Sequence, residues 1–409
     1  MRCGPAMGKS YSGTWGRSDV MAVYTAVDGG VYSHHLSVIV VGAGISGLSV
    51  ALQVLERGLG PVTVVDRAGI GAGASGIQPG GVRRQWATRG NCLMASESFA
   101  FYRDFGERFD TRARARFDTC GYVFLADTEA TLASLEAAVA LQHELGIPST
   151  LLSPDEAALV VPGLEPDGLL GGATCAEDGY FDRPQAVVEA FAEVVGARGG
   201  KIEIAEVRAI SREGAGWGLE LLRGIRLRAE TVVVAAGAAS RALLAPLGVD
   251  LPIVEEPRTL FLSEPIRERL LEPLVIAADR GIAAKQLADG RVLASDLRAA
   301  GDPETERDAW RRRLRTELDR LLPHLRYVSL PIVATGMYDM TPDGQPIIDR
   351  LDDELWVAAG FSGHGFMVAP STGRAVADGL AGATPPEWLD ALRADRFDRR
   401  PAVHEAQVI

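Results

Sequence analysis

The sequence of 409 residues contains no run of about 18 or more apolar residues, so nothing in it reads as a membrane span. It has only four cysteines, Cys3, Cys92, Cys120 and Cys175, and they form neither C-x-x-C nor any other metal spacing. That usage suits reduced thiols in a cytoplasmic protein, and no metal site is expected. Basic blocks free of nearby acids are missing and the net charge is −12, which argues against nucleic acid as a partner. There is no repeat with a period of about 20 to 50 residues, no low-complexity tract and no Ser/His/Asp triad. Residues 1–36 lack an apolar core segment and a cleavage site of the secretory kind, and they fit no later pattern. Disorder, or a start at Met21, is the expectation for that stretch. What remains is ordinary globular composition, 47% hydrophobic and 23% charged, in a chain long enough for two or three domains.

The most informative stretch begins at Ser37. Val38 to Val41 reads as a short buried strand, followed by a turn at Gly42, Gly44 and Gly47. Ile45, Leu48, Leu52 and Leu55 then recur at helical spacing, and a second apolar strand, Val62 to Val65, ends on Asp66. This is a βαβ unit opening on G-x-G-x-x-G, with an acid about 20 positions on. Gly42 permits the tight turn, Gly44 lets backbone approach a pyrophosphate, and Gly47 lets the helix pack closely on the strand. Free N–H groups and the positive end of the helix dipole favour phosphate there, while Asp66 suits ribose hydroxyls and disfavours a 2′-phosphate. The pattern indicates a dinucleotide.

A loop with many glycines follows, GAGASGIQPGGVRRQW, which suits close approach of backbone to a large flat ligand or simple flexibility. Further along, helical spacing runs from Cys92 to Phe105 and through Leu132, Leu135 and Val139, with a strand from Gly121 to Leu125 between them. Ser153 and Glu156 have capping-box spacing. Asp182 and Pro184 open a helix whose Val187, Val188, Phe191 and Val195 face inward. Strands are expected near Lys201 to Ile204, Val207 to Ile210, Trp217 to Leu222 and Arg226 to Arg228. Thr231 to Gly237 reads as a buried parallel strand of the kind whose end abuts a cofactor. Trp310, Leu314, Leu318 and Leu321 mark one face of a charged helix, and its arginine run reads as the solvated face. Near the end, LWVAAGFSGHGFMVAPSTG predicts a strand, a glycine turn and a helix over about Pro370 to Leu380.

Taken together, VVGAGISGLS, ASGIQPGGVRRQW, DGYFDRPQAV, VVVAAGAAS, MTPDGQPIID and AAGFSGHGFMVAPSTG resemble the D-amino-acid oxidase-like FAD-dependent oxidoreductases. Within them the chain is similar to the sarcosine oxidase β-subunit, glycine oxidase and proline dehydrogenase branch. The resemblance implies an α/β fold, α+β in its second part: a Rossmann-like FAD-binding domain interwoven with a substrate domain on a mixed, largely antiparallel sheet. Its implied ranges are 37–102, 171–245 and 334–383 for the first and 103–170 and 246–333 for the second. The extension 1–36 and a tail 384–409 flank them. FAD is implied at Gly42, Gly44, Ile45, Ser46, Gly47, Asp66 and Arg67, at Ala74, Ser75, Gly76, Gly80 and Gly81, and at Val207, Ala236 and Gly237. Gly336, Gly363, His364, Gly365, Phe366 and Met367 are implied around the isoalloxazine, and His364 lines the substrate side or is structural. The glycines at 360, 363 and 365 would let backbone pass edge-on to a planar ring. The helix after them would aim its positive end at the pyrimidine side, where reduction places negative charge.

Departures from the family pattern narrow the expectation. Tyr338 stands where the glycine and D-amino-acid oxidases hold an arginine that grips the substrate carboxylate. Met367 and Gly336 stand where the monomeric sarcosine oxidases have a lysine and a flavin-linking cysteine, so a non-covalent FAD is expected. The carboxylate then needs another partner: Arg83 or Arg84 first, with Arg258, Arg280 and Lys285 behind them. Arg83, Arg84, Tyr338, His364 and Lys285 are the candidate catalytic residues. The lysine that promotes oxygen reactivity in the sarcosine oxidases would fall near Leu293, where none is present, so oxygen or an electron-accepting partner remains open. The implied activity is oxidation of the C–N bond of an amino acid or secondary amine of the N-substituted glycine class. A hydride passes to flavin N5 and the imine hydrolyses. A D-amino-acid or proline dehydrogenase serving a partner or quinone, and a non-catalytic assembly flavoprotein, are the alternatives.

Overall fold

A computed structural model describes residues 24–27, 30–112, 114–181, 183–399 and 403–407. Its centre is the βαβ unit. Strand β1 (Gly30–Val41) feeds helix α1 (Ile45–Glu56), which returns to strand β2 (Val62–Asp66) in parallel with β1. Val38 to Val41 are all buried because both faces of this sheet are covered. Val38 and Val40 join one core with Leu48, Leu52, Val187 and Phe191, whereas Ile39 and Val41 join another with Trp217, Val232 and Val357. β1 runs eight residues further back than its apolar stretch and pairs with Tyr24–Val27 as an antiparallel hairpin. Residues 24–27 and 30–36 of the N-terminal stretch thus lie in this hairpin; residues 1–23 and 28–29 lie outside the described residues, as does Asp182.

Helix α2 (Arg89–Arg103) follows the second glycine loop. Strand β3 (Arg226–Val234) then enters the sheet on the far side of β1, parallel to it, as one continuous strand rather than two. Its outer edge is shared: the first half pairs antiparallel with Gly216–Leu221, the last three residues pair parallel with a strand from near the end of the chain. Among the described residues the sheet has nine strands, with Lys201–Ile204 beyond β2.

A second sheet, of eight strands among the described residues, is antiparallel except where Leu274–Ala277 runs parallel to Tyr122–Ala126. Its edge is β4 (Ile332–Met340), paired along its whole length with Val254–Leu262. Gly171–Cys175 and β4 both belong to this second sheet, although the sequence ranges grouped most of them with the first. The helix Pro303–Leu321 covers it with Trp310, Leu314, Leu318 and Leu321, each side chain contributing about 1.5–3 kcal/mol by leaving water.

The chain then returns to the first sheet as β5 (Leu355–Ala359), beside β3, and finishes in helix α3 (Gly365–Leu380). α3 crosses α1 at Gly373, where a Cβ would lie 2.4 Å from Ser49 Oγ. Among the described residues, no helix is long and apolar enough to cross a membrane.

Candidate functional site

Strands β1, β3 and β5 are parallel neighbours, so their carboxyl ends open side by side, the usual place for a ligand in such sheets. At the end of β1, Gly42 has φ +114° and a Cβ there would lie 2.3 Å from the carbonyl oxygen of Ala235, just past β3. Gly47 packs α1 so tightly on this turn that its Cβ would lie 2.0 Å from the Gly42 carbonyl oxygen. Gly44, between them, faces only the Ser75 hydroxyl, at 3.1 Å. α1 has no side-chain cap from Gly44 and no acid in its first turn, leaving its positive end for an anion. Ile45 donates its N–H to Ser75 Oγ at 3.0 Å, and Ser46 is buried behind it. Asp66 fastens the turn: one carboxylate oxygen accepts the Ala43 N–H at 2.8 Å, the other those of Ala68 and Gly69.

The second glycine loop lies over this turn, Gly71 donating to the Ala43 carbonyl at 2.9 Å. A Cβ at Gly76 would lie 2.3 Å from Gly71 O, one at Gly80 2.7 Å from Phe181 O, and one at Gly81 1.7 Å from the Tyr122 hydroxyl. Ala74, Ser75 and Gly76 form a single 3-10 turn, and Arg67 is exposed. Ala236 and Gly237 sit half-buried past β3, with Val207 half-buried at the start of a neighbouring strand. Gly336 on β4 faces Ile77 at 3.5 Å. Among the described residues, buried polar atoms of Gln78, Gln185 and His364 have no hydrogen-bond partner: the amide nitrogen, the amide oxygen and Nδ1, respectively. Four glycines whose Cβ would strike backbone, Gly42, Gly47, Gly76 and Gly80, with an uncapped helix end and unpaired buried polar atoms, fit a flavin dinucleotide.

At the end of β5 the backbone makes two positive-φ steps at Gly360 and Ser362, then Gly363 at +87°. β4 clamps this turn from the other sheet. Asp339 accepts the Gly360 N–H at 2.7 Å with its side chain and the Ser362 N–H at 3.1 Å with its carbonyl. Burial pushes the Asp339 carboxyl up to about 6. The Tyr338 ring covers Gly363 so closely that a Cβ there would lie 2.1 Å from it. α3 begins at Gly365, five residues before Pro370, so its first-turn N–H groups belong to Gly365, Phe366 and Met367. Pro370 lies inside the helix and cannot bond the carbonyl four residues back. That carbonyl is Phe366 O, and the Tyr102 hydroxyl donates to it instead, at 2.7 Å. The Phe366 ring stacks on Tyr102, turned into the core.

His364 occupies the N-cap position of this helix without a side-chain capping bond and is 4% exposed. Its Nε2 lies 3.5 Å from Arg83 Nη2, and the edge of Trp86 meets its ring at 4.7 Å. Burial and the Arg83 charge hold its pKa well below the ordinary value, so the imidazole is neutral. Arg83 is fully buried. Its guanidinium lies 3.9 Å over Trp86 and donates to the carbonyls of Gln85 and Gln407, while its Nε has no partner among the described residues. Burial lowers its pKa, and among the described residues no carboxylate forms an ion pair with it.

Arg84 is committed elsewhere. Its Nη2 reaches Glu177 at 2.7 Å and its Nε reaches Asp178 at 3.2 Å, while Asp178 also accepts the Arg84 main-chain N–H. Of the two candidate arginines, Arg84 is thus held by carboxylates of the chain and, over the Phe99 ring, braces the loop, while Arg83 has no such ion pair among the described residues. Arg258 pairs with Glu256 and Arg280 with Asp127. Lys285 is buried with its Nζ on the Pro79 carbonyl and 3.8 Å over Tyr180, and burial lowers its pKa to about 7. It is also the direct cross-strand partner of Leu293, so the ladder supplies a lysine where the single strand has none. Asp339, Tyr102 and Glu405 went unrecognised in the sequence.

The model for the family described as FAD dependent oxidoreductase matches residues 37–379. Sarcosine oxidase subunit beta of Rhizobium meliloti (strain 1021) is 26% identical over 373 residues, 89% of either chain. A glycine oxidase of Pseudomonas aeruginosa is 29% identical, covering 85% of this chain and 95% of its own. Among solved structures, an L-proline dehydrogenase from P.horikoshii superposes with a TM-score of 0.83 at 26% identity, over 90% of this chain and 98% of that one.

Proposed function

The chain belongs to the FAD dependent oxidoreductase family of D-amino-acid oxidase type, and from that premise we propose that it oxidises the C–N bond of a small amino acid with a free carboxylate. N-substituted glycines and secondary amino acids are the favoured class. The observation that carries this reading is Arg83: a guanidinium buried with no carboxylate in ion-pair contact among the described residues is costly, and a substrate carboxylate would complete it. The relatives' names, sarcosine oxidase, glycine oxidase and proline dehydrogenase, share an amine one carbon from a carboxylate.

In this reading Arg83 fixes the carboxylate, and Trp86 and Phe124 hold the guanidinium in place from its faces. His364 stays neutral beside it, so it neither repels a second cation nor competes for the carboxylate. Burial of this pair excludes water from the α-carbon. The first turn of α3 directs its N–H groups toward developing negative charge. When bound, FAD supplies the two-electron acceptor for the hydride leaving the α-carbon. The amine nitrogen loses its proton as C=N forms, and water then hydrolyses the imine to a carbonyl compound and an amine. We place FAD non-covalently among Gly42 to Gly47, Asp66, Ala74 to Gly81 and Gly363 to Met367. The two sheets would mark the cofactor and substrate units, with the strands 171–175 and 332–340 in the second. A cytoplasmic location fits the free thiols of Cys92, Cys120 and Cys175.

Anaerobic mixing with a panel of amino acids, N-alkylglycines and plain amines tests the proposal. Carboxylate-bearing amines should bleach the flavin band at about 450 nm; a panel that leaves it unchanged overturns the assignment.

Oxygen or an electron-accepting partner completes the cycle, and Lys285 is the residue that would bias the choice toward oxygen. Its ammonium is present below about pH 7 and lost above it, so oxygen turnover should decline as pH rises through 7. Lys285→Met should lower oxygen turnover by about tenfold or more while dye-linked turnover holds. Equal loss with both acceptors would move Lys285 to the substrate.

A further inference from the structure

Residues 403–407 end against the arginine on which the proposed function rests. Glu405 is 5% exposed, and its carboxylate accepts the N–H groups of Ala87 at 2.8 Å and Thr88 at 3.1 Å. It also accepts the Thr88 hydroxyl at 2.8 Å and the Asn91 amide at 3.0 Å. Thr88 is the N-cap residue of α2, and its side chain makes no capping bond to its own helix, so Glu405 caps α2 across more than 300 intervening positions. Two bonds fasten the approach: Glu405 N–H to the Asp343 carbonyl at 3.1 Å, and Gln345 Nε2 to the Val403 carbonyl at 2.7 Å. The Glu405 carboxylate then turns the chain by accepting the Gln407 N–H at 3.0 Å. As a result the Gln407 carbonyl meets Arg83 Nη2, next to the unpartnered Nε.

A guanidinium prefers a carboxylate, which takes Nε and Nη2 together, over a neutral carbonyl that takes one of them. We propose that residues 405–407 are a built-in occupant of the carboxylate subsite: the Gln407 carbonyl satisfies Arg83 in the resting chain and a substrate carboxylate displaces it. Glu405 is the latch. This depends on Arg83 being the carboxylate partner. Its consequence is that the site admits ligands by exchange, so an amine without a carboxylate leaves the segment seated.

Acetate, a carboxylate with no amine, serves as the probe on FAD-loaded full-length protein. Its affinity is read from perturbation of the flavin spectrum. Its effect on the segment is read from the rate at which carboxypeptidase removes the last residues. Acetate should accelerate removal. Glu405→Gln, which keeps the side chain's shape and one acceptor oxygen, and a chain ending at Arg399 should both bind acetate about fivefold tighter, the weight of one hydrogen bond. If the shorter chain fails to fold because α2 has lost its cap, Glu405→Gln carries the test alone. Weaker or unchanged acetate binding, or protection of the segment by acetate, would make it a fixed wall and overturn the proposal. Arg83→Met separates the two readings. If acetate binds that variant as well as the parent, the assignment of Arg83 fails; if binding needs Arg83 but ignores the segment, only the displacement idea fails.

Discussion

Arg83→Met should lower kcat/KM for a carboxylate-bearing amine by about 10²–10⁴-fold, the range given by removing one partner of a buried charge pair. Met keeps most of the side chain's bulk between Trp86 and Phe124, so packing is largely preserved. Stability should move little, within about 2 kcal/mol, because removing an unpaired buried charge offsets the two carbonyls that lose a donor. Thermal unfolding of the variant checks that half. Selectivity checks the other: a plain amine of similar size should lose far less than the carboxylate substrate. Arg83→Lys should not rescue, since an ammonium cannot present the paired donors of a guanidinium. Equal loss for both substrates would assign Arg83 to the fold or the cofactor.

Two glycines in the first turn should fail differently. In Gly47→Ala the new Cβ would meet the Gly42 carbonyl oxygen at 2.0 Å, with Val40 at 3.3 Å behind it. Backbone cannot yield as a side chain can, so α1 must lift from the sheet. A loss of more than about 4 kcal/mol, or no folded protein, is expected. In Gly44→Ala the Cβ would meet only the Ser75 hydroxyl, at 3.1 Å, which can rotate away. That chain should fold with nearly the parent's stability as apoprotein and hold FAD about 10- to 100-fold more weakly, through overpacking of about 1–3 kcal/mol against the pyrophosphate. Flavin-to-protein absorbance after dialysis, beside urea unfolding of the apoproteins, distinguishes the pair. Undiminished FAD in Gly44→Ala would move the phosphates elsewhere.

The elements that the sequence made legible are those whose causes are local. Val38 to Asp66 could be read directly because a parallel strand buried on both faces is apolar throughout, and the turn glycines are dictated by backbone contacts. The backward extension of β1 through Ser33, His34 and His35 has no apolar period to announce it. Pro370 looked like a helix start, and only the distant Tyr102 hydroxyl explains why α3 can begin at Gly365 and carry a proline inside. The adjacent arginines could not be separated either. Both follow the short strand Gly81–Val82, and nothing local decides which partner each side chain meets. Asp178, 94 positions away, takes Arg84 and leaves Arg83. Lys285 was likewise hidden by register, since its relation to Leu293 exists only across the ladder. The roles of Asp339 and Glu405 rest on partners 21 and more than 300 positions away.

The insertion of β5 beside β3 also has a consequence for biosynthesis. The cleft draws on Gly42 near the beginning, on Ala236 in the middle, on Gly363 and His364 near the end, and on Glu405 to cap a helix that left the ribosome long before. Until β5 emerges, the outer edge of β3 past Thr231 has no strand beside it, and the turn bearing His364 does not exist. Cofactor loading is therefore expected to await the emergence of β5. Ribosome-bound chains arrested before Leu355 should retain no flavin fluorescence after washing, and retention by such chains would place loading earlier.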